Sequence, residues 1–314
     1  MTLPPDALAQ LIAAELAAPV PAGALHMAER IRARHGEGIR AIVFYGSCLR
    51  TGDDQHSLLD FYVLVDSYWH LGTRRLYAWL NALLPPNVYY IESAHGARTV
   101  RAKYAVVSLA DFARYTAPGA FQAYFWGRFA QPCALVYAAD QAAADAVTAA
   151  VANAVTALVQ CGLPLLPAPC SVETLWTTQL LQSYRAEVRA ERDAVVGRLY
   201  AAASARYEHV TRAALPRLAV AATASVVDGT TWISAQTSSA ATARALWAVR
   251  RSYGKLLSFL RILKSGLTQE HSVEYAIWKV ERHSGLKIDP RYQRHPLLAL
   301  GEQVWRMYRK GAFR

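Results

Sequence analysis

The chain has 314 residues, 54% of them hydrophobic and 18% charged, enough apolar material for a sizeable core and too much for a disordered protein. Its four cysteines, Cys48, Cys133, Cys161 and Cys170, form no Cys-x-x-Cys pair, which leaves zinc and thioredoxin-type chemistry without support and suggests idle, reduced thiols. The net charge is +11, and residues 241–314 hold fifteen Lys or Arg against five Asp or Glu, so the last quarter is expected to meet an anionic partner: a membrane surface, nucleic acid or a phosphorylated substrate.

Taken in chain order, the first twenty residues lack a basic region ahead of their apolar part and read as a helix rather than a signal peptide. No apolar run is expected to span a bilayer. Residues 22 to 36 predict a helix stopped near Gly36. The β-branched and aromatic run 39–45 predicts a strand ending at Gly46, and 58–65, apolar except for Asp60, predicts a central strand covered on both faces. A helix follows, stopped by Pro85 and Pro86. Residues 87–93 and 99–109 predict two further strands, and 132–138 a fifth or an edge. The second half then changes character. Long helices are expected over 139–162, 172–214 and 242–264, with shorter ones near 271–283 and 296–309. The Pro-rich segment 163–170 is the best linker, and 225–243, polar and small, reads as a mobile loop. The expected organisation is an α/β domain with a mixed central sheet over 1–165, then a basic all-helical domain over 166–314.

A strand, a Gly-Ser turn and a second strand with an acid inside it resemble the core of the polymerase-β-like nucleotidyltransferases. Glycine lets the backbone approach a triphosphate, and Ser47 offers a hydroxyl and an N–H to its oxygens. A lone carboxylate in a strand is costly unless a cation meets it. The fragment alone is equally compatible with a turn followed by an acid paired inside the sheet. Four segments in order over residues 40–138 are more specific. "FYGS…LLDF", "NVYYIES", "KYAVVS" and "YFWGRFAQPCALV" resemble the corresponding segments of the mitochondrial-type CDP-diacylglycerol synthases, and the C-terminal tail resembles bacterial members. Two glycines of the family pattern are Cys48 and Ala105 here.

The resemblance implies transfer of a cytidylyl group from CTP to phosphatidic acid, with Mg²⁺ or another divalent cation as cofactor. It implies Asp60 as catalytic residue and metal ligand, Lys103 as catalytic residue, and Gly46, Ser47 and Arg128 as nucleotide contacts. Asp-x-Asp is not present, since Leu58 and Tyr62 flank Asp60 at two residues. Glu92 is a candidate second ligand, with Asp53 and Asp54 as others. Asp66 lies ~20 Å further along a strand, too far to share the ion. Tyr45, Phe61 and Tyr62 are expected in the core, with Tyr62 stacking on cytosine as the alternative, and His70 and His95 are expected as packing or surface residues.

Residues 246–266 are amphipathic at helical spacing and flanked by Arg250, Arg251, Lys255, Arg261 and Lys264. Together with Trp305 in the aromatic and basic tail, they suggest contact with an anionic membrane surface; a basic helix packed on its own domain is the competing interpretation. The expected setting is the cytoplasmic face of a bacterial inner membrane. Another acceptor, such as a tRNA, small molecule or protein, stays open. A nucleic-acid-binding role on a degenerate core is disfavoured by the aliphatic and aromatic content of the tail.

Overall fold

The computed structural model describes residues 6–54, 57–70, 75–96, 98–187, 193–237 and 239–268. The expected helices near 271–283 and 296–309, and Trp305, lie outside them.

The helices are α1 (Ala7–Leu16), α2 (Ala22–His35), α3 (Ser47–Thr51), α4 (Arg75–Leu83), α5 (Leu109–Thr116), α6 (Ala123–Phe129), α7 (Gln141–Gly162), α8 (Val172–Arg185), α9 (Asp193–Ala201), α10 (Ser204–Ala214) and α11 (Ala240–Thr268). The strands are β1 (Ile39–Tyr45), β2 (Leu59–Val65), β3 (Asn87–His95), β4 (Arg98–Ser108), β5 (Cys133–Ala138), β6 (Cys170–Ser171), β7 (Ala222–Val227) and β8 (Thr230–Ala235). The first five form a mixed sheet in the order β3-β4-β2-β1-β5, with β2 and β4 parallel and the other neighbours antiparallel. This bears out a mixed central sheet with helices.

Side chains alternate across the strands, so each face has its own core. Ile42, Phe44, Phe61, Val63, Tyr104 and Val106 pack with Ala24, Met27 and Ile31 of α2. On the other face Ala41, Val43, Tyr62, Leu64, Ala105 and Val107 meet Phe112 of α5, Phe125 and Phe129 of α6 and the apolar side of α7. β2 is thus covered on both sides, as its near-continuous apolar sequence predicts. Of its seven residues, only Asp60 is not fully buried.

The second core continues without interruption past residue 165. Val151, Val155, Leu158 and Val159 of α7 pack with Leu175, Trp176 and Leu180 of α8, Tyr207 and Val210 of α10, and Trp247 of α11. The stretch Gln141–Leu165 is the one described run long and apolar enough to cross a membrane, which corrects the expectation of none; 67% of its apolar window is buried inside the protein, around which α1, α5, α6, α8 and α10 are arranged.

Residues 166–268 are not all helical. The expected loop 225–243 instead contributes most of a hairpin, β7 and β8, with β6 added along β8. Its turn is Asp228-Gly229, both at positive φ (49° and 76°), the geometry that Asp-Gly supplies between β-branched runs. The expected long helix 172–214 is divided into α8, α9 and α10.

Candidate active site

Gly46 follows the last residue of β1 with φ 95°, a region natural to glycine. A Cβ there would stand 2.9 Å from Asp60 Oδ2. The carboxylate therefore rests directly on the Gly46 backbone, and no other residue type leaves that space. Ser47 opens α3 and is exposed beside it.

Asp60 is opposite Tyr45 on the antiparallel side and opposite Lys103 on the parallel side. Lys103 Nζ lies 3.0 Å from Asp60 Oδ1, with side-chain exposures of 34% and 21%. The ammonium meets the carboxylate at ion-pair distance but not along a hydrogen-bond direction, so Oδ1 is buried without a hydrogen-bond donor. Burial, and then the negative charge of Asp60, push the Tyr45 hydroxyl far above its ordinary pKa, so it stays protonated.

The row continues across the sheet, where Tyr90 is opposite Lys103 and Glu92 is opposite Arg101. Two-residue steps place Glu92 and Arg101 on the face that carries Asp60 and Lys103. Tyr90 donates its hydroxyl to Glu92 Oε1, and Arg101 Nε donates to the same oxygen at 3.1 Å. Glu92 is exposed and already engaged by these two groups. Both oxygens of Asp54 are already engaged. Arg98 donates to both its oxygens at 2.7 and 3.0 Å, and Gly23 N donates to Oδ2 at 2.9 Å. These bonds, the Arg98 ones foremost, hold the Asp54 carboxyl below the usual carboxylate range. Asp53 sits in the turn after α3, where its N–H meets Thr51 Oγ1 at 3.3 Å. Among the described residues no group of three or more His, Cys, Asp or Glu converges on a metal position.

Arg128, expected at a phosphate, is turned inward instead. Its side chain is 10% exposed. Nη1 donates to Tyr62 Oη at 2.8 Å and Nη2 to Glu187 Oε2 at 3.2 Å, while its guanidinium lies 4.3 Å from the Tyr124 ring centre. It is a strut that ties β2 to the segment after α8. Tyr62 is fully buried against Phe125 and Phe129, which excludes the stacking role weighed for it and bears out its place in the core.

Two of the basic residues expected on a lipid-facing surface are also internal. Arg250, 5% exposed, donates to Phe121 O at 2.7 Å and covers the Trp247 ring. Lys264, also 5% exposed, donates to Leu84 O at 2.5 Å and Pro86 O at 3.0 Å. Burial, assisted by the charge of Arg261, lowers its pKa to about 7. Arg251 is half-buried and reaches Gln182, whereas Lys255 is exposed. Backbone carbonyls left over by a turn and a loop are strong acceptors in a low-dielectric setting, and the long cationic side chains of α11 supply the donors.

Sequence reasoning missed Tyr90, Arg101, Tyr124 and Glu187. The first two were hidden because hairpin register decides what they face. The other two depend on how α6 and α8 dock. No protein-family model matches the chain, and no curated protein matches it.

Proposed function

We propose that this chain is a nucleotidyltransferase that makes CDP-diacylglycerol and pyrophosphate from CTP and phosphatidic acid at a membrane surface. The carrying observation is the Asp60–Lys103 pair, set side by side on parallel strands with Asp60 resting on the Gly46-Ser47 turn. The identity of the nucleotide and acceptor comes from the resemblance of the four segments over residues 40–138.

In the proposed step, a phosphate oxygen of phosphatidic acid attacks the α-phosphorus of CTP. The bond from that phosphorus to the bridging oxygen breaks, and pyrophosphate leaves with the electron pair. The nucleophile is anionic near neutral pH and needs no general base, only positioning and cations. That suits a site with one central carboxylate and nearby Lys103 and Arg101. Ser47, exposed at the start of α3, would offer its hydroxyl to phosphate oxygens brought to the turn.

A divalent cation fits this donor set in a limited way. Asp60 Oδ1 is a buried acceptor without a hydrogen-bond donor, and Mg²⁺ is commonly held by one or two carboxylates with substrate phosphates and water. Asp60 would hold it, with Glu92 as a second carboxylate on the same face if it leaves Arg101. Bound there, the ion would neutralise charge on the triphosphate. Lys103 would then turn from Asp60 toward a phosphate oxygen, an exchange of one anionic partner for another.

The test is transfer of label from α-labelled CTP into extractable lipid, with phosphatidic acid vesicles and Mg²⁺. Label in the lipid with wild type, lost in Asp60→Ala, is the expected result. Unlabelled lipid from folded protein would overturn the assignment. Label in another offered acceptor would move the reaction there.

A further inference from the structure

Two exposed apolar surfaces meet at one joint. On α4, Leu76, Trp79 and Leu83 share a helix face at 62%, 65% and 77% exposure, and Trp69, 51% exposed, stands edge-on to Trp79 at 6.2 Å. On α11, Val249, Leu256, Phe259 and Leu263 are each more than half exposed. Leu83 immediately precedes Leu84 and Leu263 immediately precedes Lys264, and Lys264 Nζ donates to Leu84 O. Arg261 Nε adds a bond to Pro85 O at 2.7 Å. The segment that leaves α4 is thus tied to the last turns of α11, with Leu83 and Leu263 each next in sequence to a residue of the tie. Exposed apolar surface of this extent, with a tryptophan pair, marks a docking face.

We propose that α4 and the C-terminal half of α11 form one rigid face that docks on an anionic phospholipid bilayer. The proposal rests on the reading of a membrane lipid as acceptor and identifies where the protein meets that membrane. Charge complementarity selects the occupant. Residues 240–268 contain no Asp or Glu, and neither does α4, while Arg75, Arg244 and Lys255 stand exposed on these two helices. A second copy would bring a like-charged helix alongside, with no opposite charges to set a pairing. An anionic bilayer meets the same charge favourably, and Trp rings suit its interface. The contact itself differs from the one expected from sequence. Arg250, Arg261 and Lys264 face inward and hold carbonyls, so the insertion is carried by Trp79, Leu83, Leu256 and their neighbours, with Arg75 and Lys255 exposed on the same two helices.

The experiment is flotation of the full chain with phosphatidylcholine vesicles containing phosphatidylglycerol, without phosphatidic acid or nucleotide. Wild type is expected to float, and Leu83→Glu and Leu256→Glu each to lower partitioning about tenfold or more, since each puts a charge in place of inserted apolar surface. All these side chains are exposed, so the fold is retained. Val226→Glu on β7, equally exposed but elsewhere, is expected to float like wild type. Wild type that stays unbound, or Leu83→Glu and Leu256→Glu that float unchanged, would overturn the proposal. So would a dimer in light scattering that Leu256→Glu dissociates, because the face would then belong to a second copy. A short-chain, water-soluble phosphatidic acid separates this from the chemistry: flotation without any transfer leaves the docking face standing and removes the cytidylyl reading, while transfer without flotation does the reverse.

Discussion

The Asp60 carboxylate is held between the Gly46 backbone and the Lys103 ammonium, one strand end on one side and one parallel strand on the other. An acid flanked this way meets a cation on one side and a glycine turn on the other. Asp60→Asn keeps the volume and removes the charge. The expected outcome is a loss of label transfer of about 10³-fold, the scale for removing a group that acts on developing charge, with an unchanged circular dichroism spectrum. Lys103→Met is expected to lose transfer comparably and to raise the KM for CTP.

Gly46→Ala tests the contact itself. The new methyl would meet Asp60 Oδ2 at 2.9 Å in a backbone conformation with φ 95°. The strain and the displaced carboxylate are expected to lower stability by ~1–3 kcal/mol and to remove transfer. A thermal melt and the label assay on one preparation read both. Gly52→Ala has positive φ but open space around it, so it should cost stability while leaving transfer near the wild-type level.

Arg128 and Glu187 form a pair whose side chains are each 10% exposed. Removing Arg128 takes a charged partner from the buried Glu187 and a donor from Tyr62 at once. Arg128→Ala is expected to cost ~3–5 kcal/mol. Combining Arg128→Met with Glu187→Gln should cost less than the sum of the single changes. Urea titration of the double-mutant cycle measures this, and additive effects would show that the pair does not couple β2 to the segment after α8.

Lys264 gives a pH dependence with a definite sign. Its pKa in the fold is about 7, below the ordinary lysine value of 10.5. Between these values the unfolded chain holds a proton that the folded chain has released, so stability contributed by this site rises with pH through the window. Below pH 7 both states are protonated and the full cost of a buried charge applies. Relative to Lys264→Met, wild type is expected to gain about 1 kcal/mol per pH unit between pH 7 and 9. Urea unfolding of both proteins at several pH values checks the slope; a flat difference would place the lysine's pKa outside that window.

Much of the sheet was legible from the chain alone. β1 and β2 follow from β-branched runs bounded by Gly46 and by the polar loop, and β5 from a short apolar run after Pro132. The Gly46–Asp60 relationship was visible as a pattern because it is local, with one turn and the next strand. The β7–β8 hairpin was missed although Asp228-Gly229 signals it, because the Ala, Ser and Thr at the outer ends of its strands make the segment look small and polar. The division of 172–214 into three helices had no proline or glycine breaker to announce it at Ala202–Ala203.

Sequence by itself determined the apolar content, the periodicities of most elements and a carboxylate that no isolated strand would keep. Tertiary structure decided which cation meets that carboxylate, because Lys103 reaches Asp60 only through the parallel register of β2 and β4. It also decided that Arg128, Arg250 and Lys264 are internal. Charge and spacing are properties of the chain, whereas burial is a property of how its pieces dock. A long cationic side chain can reach solvent or a buried carbonyl from the same helix position, and only the neighbouring element settles which.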